Sequence, residues 1–158
     1  VHRDVKPANI LLENGVERVK IADFGLARAA DDARVTQTGC VTGTPEYMSP
    51  EQARGEPVDH RTDLFSLGSV LYTMCTGRPA FRAEGHLAVM RRVCDDTPRP
   101  ISEVNSEIPN WLAEIVGRLM AKGREERFKT AREVADVLGS CLAHNQQPSQ
   151  ASAPLAPH

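Results

Sequence analysis

The first apolar residues come in two short runs, Ile10-Leu11-Leu12 behind Asn9 and Val19-Lys20-Ile21-Ala22. Each run is too short for a helix, and Asn14-Gly15 between them is a pair that turns a chain readily. The pattern predicts a β-hairpin from Asn9 to Ile21. Residues 28 to 45 are polar, with four threonines and two glycines. A stretch of that length without a periodic pattern is usually a functional loop. Ser49-Pro50-Glu51-Gln52 then reads as a helix start, with serine as N-cap, proline at the first helical position and glutamine three residues after the cap. Beyond it the period becomes helical. Leu64, Leu67, Val70, Leu71 and Met74 share one face, and Gly77 ends the pattern. A shorter helix is expected from about His86 to Val93. Trp111, Leu112, Ile115, Val116, Leu119 and Met120 form another stripe. A last one, opened by Thr130 and Glu133 as a capping box, holds Val134, Val137, Leu138, Cys141 and Leu142. Stripes of this kind are core faces rather than cofactor contacts. From residue 144 to 158 the chain turns to Gln, Pro, Ser and Ala, the composition of a disordered tail or linker.

Composition narrows the function classes. The 158 residues suffice for one domain with a real core. A net charge of -2 gives no field that favours nucleic acid or an anionic membrane, and 4% aromatics provide no platform for stacking single strands. The four cysteines form no CxxC pair, which argues against zinc, and their scatter fits a reducing compartment. No apolar run is long enough to span a bilayer, and no signal peptide is visible. The chain opens at Val1, inside a motif, and so reads as a piece of a longer protein.

That motif is His2-Arg3-Asp4 with Lys6 and Asn9. Asp23-Phe24-Gly25 follows Asn9 by fourteen residues, and Gly43-Thr44-Pro45-Glu46-Tyr47-Met48-Ser49-Pro50-Glu51 follows in turn. The three, in this order and spacing, resemble the catalytic loop, the metal-binding tripeptide and the end of the activation segment of the protein kinase family. Ser-Pro-Glu stands where Ala-Pro-Glu is commoner. The stretch from Gly43 to Gly55 resembles most the eukaryotic-type (Hanks-type) bacterial kinases. The resemblance covers residues 1 to 143. It implies an α+β fold class, a mainly α-helical kinase C-terminal lobe with a small β-hairpin near its start. A glycine-rich GxGxxG loop and a Val-Ala-Ile-Lys strand, features of the N-terminal lobe, do not occur in this sequence. The isolated chain is therefore expected to lack kinase activity.

The resemblance also implies roles. Asp4 would accept or orient the proton of a substrate hydroxyl, and Lys6 would offset charge on the transferring phosphate. Asn9 and Asp23 would hold magnesium through hard oxygen ligands, with ATP as the co-substrate. Gly25 would give the loop after Asp23 and Phe24 its backbone freedom, and Thr44 would hydrogen-bond around Asp4 and Lys6. Lys6 with Thr44 is the serine/threonine pattern, so protein substrates would be modified on those hydroxyls. Asp63 would brace the catalytic-loop backbone, and Glu51 would pair with Arg127. Near that arginine the chain has Lys122-Gly123 and Phe128, where the family has Asp-Pro and a following Pro. Thr36 and Thr38 are the expected phosphorylation sites, with Arg3 receiving the phosphate. Without the resemblance, Asp4 could cap a turn, Asp23 could end a strand and Arg127 could be a solvated charge. His2 is expected as scaffold, His60 and His86 as surface residues, and Cys40 has no assigned role. The expected setting is a cytoplasmic kinase domain that contacts neither nucleic acid nor membrane. The tail resembles juxtamembrane linkers of bacterial kinases, which leaves open an anchor in the plasma membrane beyond this fragment. The competing functional reading is a catalytically silent kinase-like module that docks partners. A helical DNA-binding domain fails for want of a basic recognition helix.

Overall fold

The structure, a computed structural model, describes residues 1–13, 18–23 and 44–146. Strands β1 (Ile10–Leu12) and β2 (Val19–Ile21) pair antiparallel, with Ile10 opposite Ile21 and Leu12 opposite Val19. The turn expected at Asn14-Gly15 lies outside the described residues. Among the described residues six helices follow: α1 (Pro50–Ala53), α2 (Arg61–Thr76), α3 (His86–Asp95), α4 (Ile101–Val104), α5 (Asn110–Leu119) and α6 (Ala131–Gln146). Short 3-10 turns occupy Pro7–Asn9, Pro45–Tyr47 and Arg124–Glu126. The α+β expectation, mostly helical with one small hairpin, is met.

Helix α2 is the hub. Leu64, Phe65, Val70 and Tyr72 are buried, and so are Thr62, Ser66 and Ser69 on its other sides. A helix buried around most of its circumference must carry small or hydrogen-bonded residues where neighbours come close. Gly68 is such a place. A Cβ there would lie 2.8 Å from both Leu119 Cβ and Met120 Cγ, so its missing side chain sets how near α5 can come. The helix ends at Gly77, whose φ of 73° is a left-handed position that glycine takes without a Cβ penalty. Helix α5 feeds two apolar clusters from neighbouring positions. Val116 and Met120 join Phe65, Tyr72, Phe81 and Val93, while Ile115 and Leu119 join Leu64, Phe128 and Val134.

Local signals at the helix ends mostly hold. Ser49 caps α1: its hydroxyl accepts the Gln52 N–H at 3.3 Å, and Gln52 Oε1 accepts the Ser49 N–H at 3.1 Å. At α6 one arm of the expected box is displaced. Thr130 Oγ1 accepts the Glu133 N–H at 3.1 Å, but the Glu133 carboxylate takes the N–H of Lys129 at 2.8 Å, one residue upstream of the cap. Helix α6 also runs on through Gln146, into the stretch expected as tail: Gly139 lies within it without ending it, and no proline follows before Pro148.

Candidate active site

The segment from His2 to Asn9 has little regular structure, and polar contacts order it. Asp63, in the first turn of α2, accepts the N–H of His2 and the N–H of Arg3, each at 2.7 Å and each on its own carboxylate oxygen. Arg3 is held there at φ 69°, a left-handed conformation that costs a residue with a Cβ about 1–2 kcal/mol. Two hydrogen bonds to a charged acceptor, worth roughly 1.5–3 kcal/mol each, outweigh that strain. His2 is buried, and its Nε2 lies 2.8 Å from the Ala22 carbonyl. A carbonyl only accepts, so Nε2 carries the hydrogen, and the bare Nδ1 accepts the Asp4 N–H at 3.3 Å. His2 is thus a strut between the loop and the end of β2, the scaffold role expected of it.

Asp4 leaves this brace with one oxygen engaged. Lys6 Nζ lies 2.8 Å from Asp4 Oδ2, and Asn9 Nδ2 donates to the same oxygen at 2.9 Å and to the Asp4 carbonyl at 2.8 Å. Among the described residues Oδ1 has no partner, and the Asp4 side chain is 43% exposed. The Ala22 N–H donates to the Asn9 carbonyl at 2.8 Å, which seats the next residue, Asp23, beside the loop. Asp23 is exposed and, like Arg3, left-handed, at φ 65°. The loop thus gathers Asp4, Lys6, Asn9 and Asp23. Asn9 spends its amide nitrogen on Asp4, and its Oδ1 takes no hydrogen bond among the described residues. That oxygen and the Asp23 carboxylate are hard donors of the kind magnesium takes alongside phosphate and water, so this residue pair fits the ion.

Not every expected contact forms. Thr44 is exposed, and among the described residues its side chain bonds to neither Asp4 nor Lys6. Phe24, Gly25, Thr36, Thr38 and Cys40 lie outside the described residues. The 3-10 turn after Thr44 is tied down where Ser66 Oγ donates to the Tyr47 carbonyl at 2.7 Å. His60 and His86 are exposed, though His60 Nε2 reaches the Lys129 carbonyl at 2.7 Å. One contact that sequence reasoning missed is Gln52 Nε2, which donates to the Arg3 carbonyl at 2.9 Å.

Glu51 and Arg127 meet in the interior, 76 positions apart. Arg127 Nη1 donates to Oε1 at 2.7 Å and Nη2 to Oε2 at 2.9 Å, a fork on a carboxylate. The remaining N–H groups go to the carbonyls of Ala121 (2.8 Å), Lys122 (3.1 Å) and Arg61 (3.2 Å), so all five donors are used. The Thr62 hydroxyl donates to Glu51 Oε1 at 2.8 Å, and Phe65 lies under the guanidinium. Burial by itself raises the Glu51 carboxyl. The bonds from Arg127, the backbone and Thr62 overcome it and hold the group at about 2, against an ordinary 4.5. The chain around Lys122-Gly123 forms the carbonyl cradle without the family's prolines. Lys122 is half-buried, and desolvation lowers its ammonium to about 8. It lines a cavity of about 330 Å3 with Tyr72, Arg99, Ile101, Val116 and Met120, which none of the catalytic-loop residues touches.

The helical lobe, the braced loop and the cluster around Asp4 together have the build of a phosphoryl-transfer domain. The protein kinase domain family model matches residues 1–147, and the chain belongs to that family. Among known proteins it is 44% identical to serine/threonine-protein kinase PknB of Mycobacterium leprae, over 96% of this chain and 24% of that protein. It is 47% identical to a probable serine/threonine-protein kinase PknB of Bifidobacterium longum, over 87% of this chain and 20% of the other. A probable serine/threonine-protein kinase of Corynebacterium efficiens is 41% identical, over 99% and 26%. The chain therefore spans about a quarter of the length of the curated relatives it matches. Among the described residues, no helix is long and apolar enough to cross a membrane.

Proposed function

We propose that the protein containing this chain transfers the γ-phosphate of ATP to serine and threonine hydroxyls of other proteins, in the cytoplasm. The observation that carries this reading is the state of Asp4. Its Oδ2 is fixed by Lys6 and Asn9, while among the described residues Oδ1 is left for a new hydrogen bond. A substrate hydroxyl donating to Oδ1 would be oriented for attack and would have an acceptor for its proton. Lys6, already beside that carboxylate, brings a positive charge to where the transferring phosphate would pass. Asn9 Oδ1 and the Asp23 carboxylate would hold magnesium, which when bound neutralises charge on the phosphates. Phosphate transfer from radiolabelled ATP to a serine/threonine peptide by the full-length protein tests this. Asp4→Asn is expected to lower turnover at least about a hundredfold, in line with the effect of a single acid–base group, and Asp23→Ala to lower it strongly through loss of a magnesium ligand. Wild-type turnover in either folded variant would refute the assigned role. No transfer by the wild type would favour the docking-module reading.

The activation-segment threonines are part of the same proposal. Thr36 and Thr38 would be phosphorylated in the active protein, and Arg3, next to Asp4, would receive the phosphate. A phosphate adds about -1.5 to -2 charge and oxygens that a guanidinium grips with paired hydrogen bonds. Mass spectrometry of the active protein should find these sites modified. The Thr36→Ala/Thr38→Ala variant should lose most activity, and undiminished activity would remove the switch.

A further inference from the structure

We propose that Gln52 is a positioning residue that couples the end of the activation segment to the peptide plane carrying Asp4. The inference rests on the kinase reading and adds a residue to it. As the third residue of α1, Gln52 completes a capping box, for which only its acceptor oxygen is needed. A glutamate would cap equally well and would suit the positive end of the helix better. The atom that capping leaves unexplained is Nε2, and it reaches 49 positions back to the Arg3 carbonyl at 2.9 Å. That carbonyl belongs to the peptide bond joining Arg3 to Asp4. Arg3 is therefore clamped on both sides, its N–H by Asp63 and its C=O by Gln52, in a left-handed conformation it would otherwise leave. The direction in which Asp4 departs follows from that peptide plane.

The other end of the connection is equally fixed. Glu51, the neighbour of Gln52 on α1, is locked to Arg127. A continuous path runs from the helical core through Glu51 and α1, across the Gln52 amide, to the backbone of the proposed catalytic aspartate. Displacement of α1 would pull on that backbone through one hydrogen bond.

The test uses Gln52→Glu and Gln52→Met in the full-length protein. Gln52→Glu keeps an acceptor for the Ser49 N–H but presents the Arg3 carbonyl with an oxygen instead of a donor. Its kcat should fall about tenfold with KM for ATP unchanged and the melting temperature held. Gln52→Met, which loses both contacts, should match that fall and melt earlier. Amide exchange at Arg3 and Asp4 should quicken in both variants, but at Ala53 and Arg54 only in the methionine variant. Wild-type kcat in Gln52→Glu, or reduced kcat with unchanged exchange at Arg3 and Asp4, would overturn the proposal. If the wild type transfers no phosphate, the kinase reading fails on its own, and exchange at Arg3 and Asp4 still decides whether the clamp exists.

Discussion

Two ion pairs with nearly equal distances do opposite things in this molecule. Lys6 and Asp4 approach to 2.8 Å, with 21% and 43% of their side chains exposed. Arg127 and Glu51 approach to 2.7 Å, with 0% and 4% exposed. Water screens the first pair, and among the described residues one carboxylate oxygen keeps no partner, so the charges can be redistributed when a substrate arrives. The second is enclosed, forked and saturated. Separating it would leave a carboxylate in the interior and three backbone carbonyls without the donors they now accept from. Distance alone does not rank the pairs; the surroundings and the unfilled hydrogen-bonding capacity do.

The largest expected effect comes from breaking the enclosed pair. Arg127→Ala should destabilise the domain by about 3–5 kcal/mol. The Glu51→Gln/Arg127→Met double variant should cost less than the sum of its single changes, because no isolated charge remains. Chemical denaturation of the wild type, Arg127→Ala, the two single variants of the cycle and the double variant reads both quantities, and additivity would erase the distinction between the pairs. Next in size is the acid limb of stability. Glu51 is held near 2 when folded and returns towards 4.5 when unfolded. Its contribution is therefore complete above pH 4.5 and is lost as pH falls towards 2, about 3 kcal/mol in all. Unfolding measured between pH 6 and 2 should show this loss, and Arg127→Met should abolish it. The smallest effect belongs to the exposed pair: Lys6→Met should change stability by no more than about 1 kcal/mol. A larger loss would mean that the loop depends on Lys6 for its fold.

Much of this was legible in the sequence, for reasons that differ by residue. The long helices announced themselves through apolar spacing, and Gly77 and Ser49 marked ends whose chemistry is local. The Asp4, Lys6, Asn9 and Asp23 group followed from motif order. Helix α4 did not, because Ile101–Val104 is shorter than the two turns a helical period needs to be seen. The displaced bond from Glu133 to Lys129 escaped because a capping pattern fixes residue types and not which of two adjacent N–H groups is nearer. The sequence marks Gln52 as a cap and carries no sign of its second bond. The Arg3 carbonyl arrives there only through the tertiary fold, as does the Arg61 carbonyl at Arg127, whereas those of Ala121 and Lys122 lie only six and five positions before that arginine.

Gly68 also governs what the lobe can do over time. Its vacant side-chain position is filled by Leu119 and Met120, so α5 rests in a notch of α2. A ratchet of one helical turn, about 5.4 Å, would bring the bulk of Leu64 and Phe65, or of Leu71 and Tyr72, to where the notch had been. Gly68 therefore favours one register between these two helices. Sliding of α5 along α2 is opposed by that bulk. A polar tether such as the Gln52 bond to the Arg3 carbonyl can move against that helical body, with the packed helices as the ground on which it pulls.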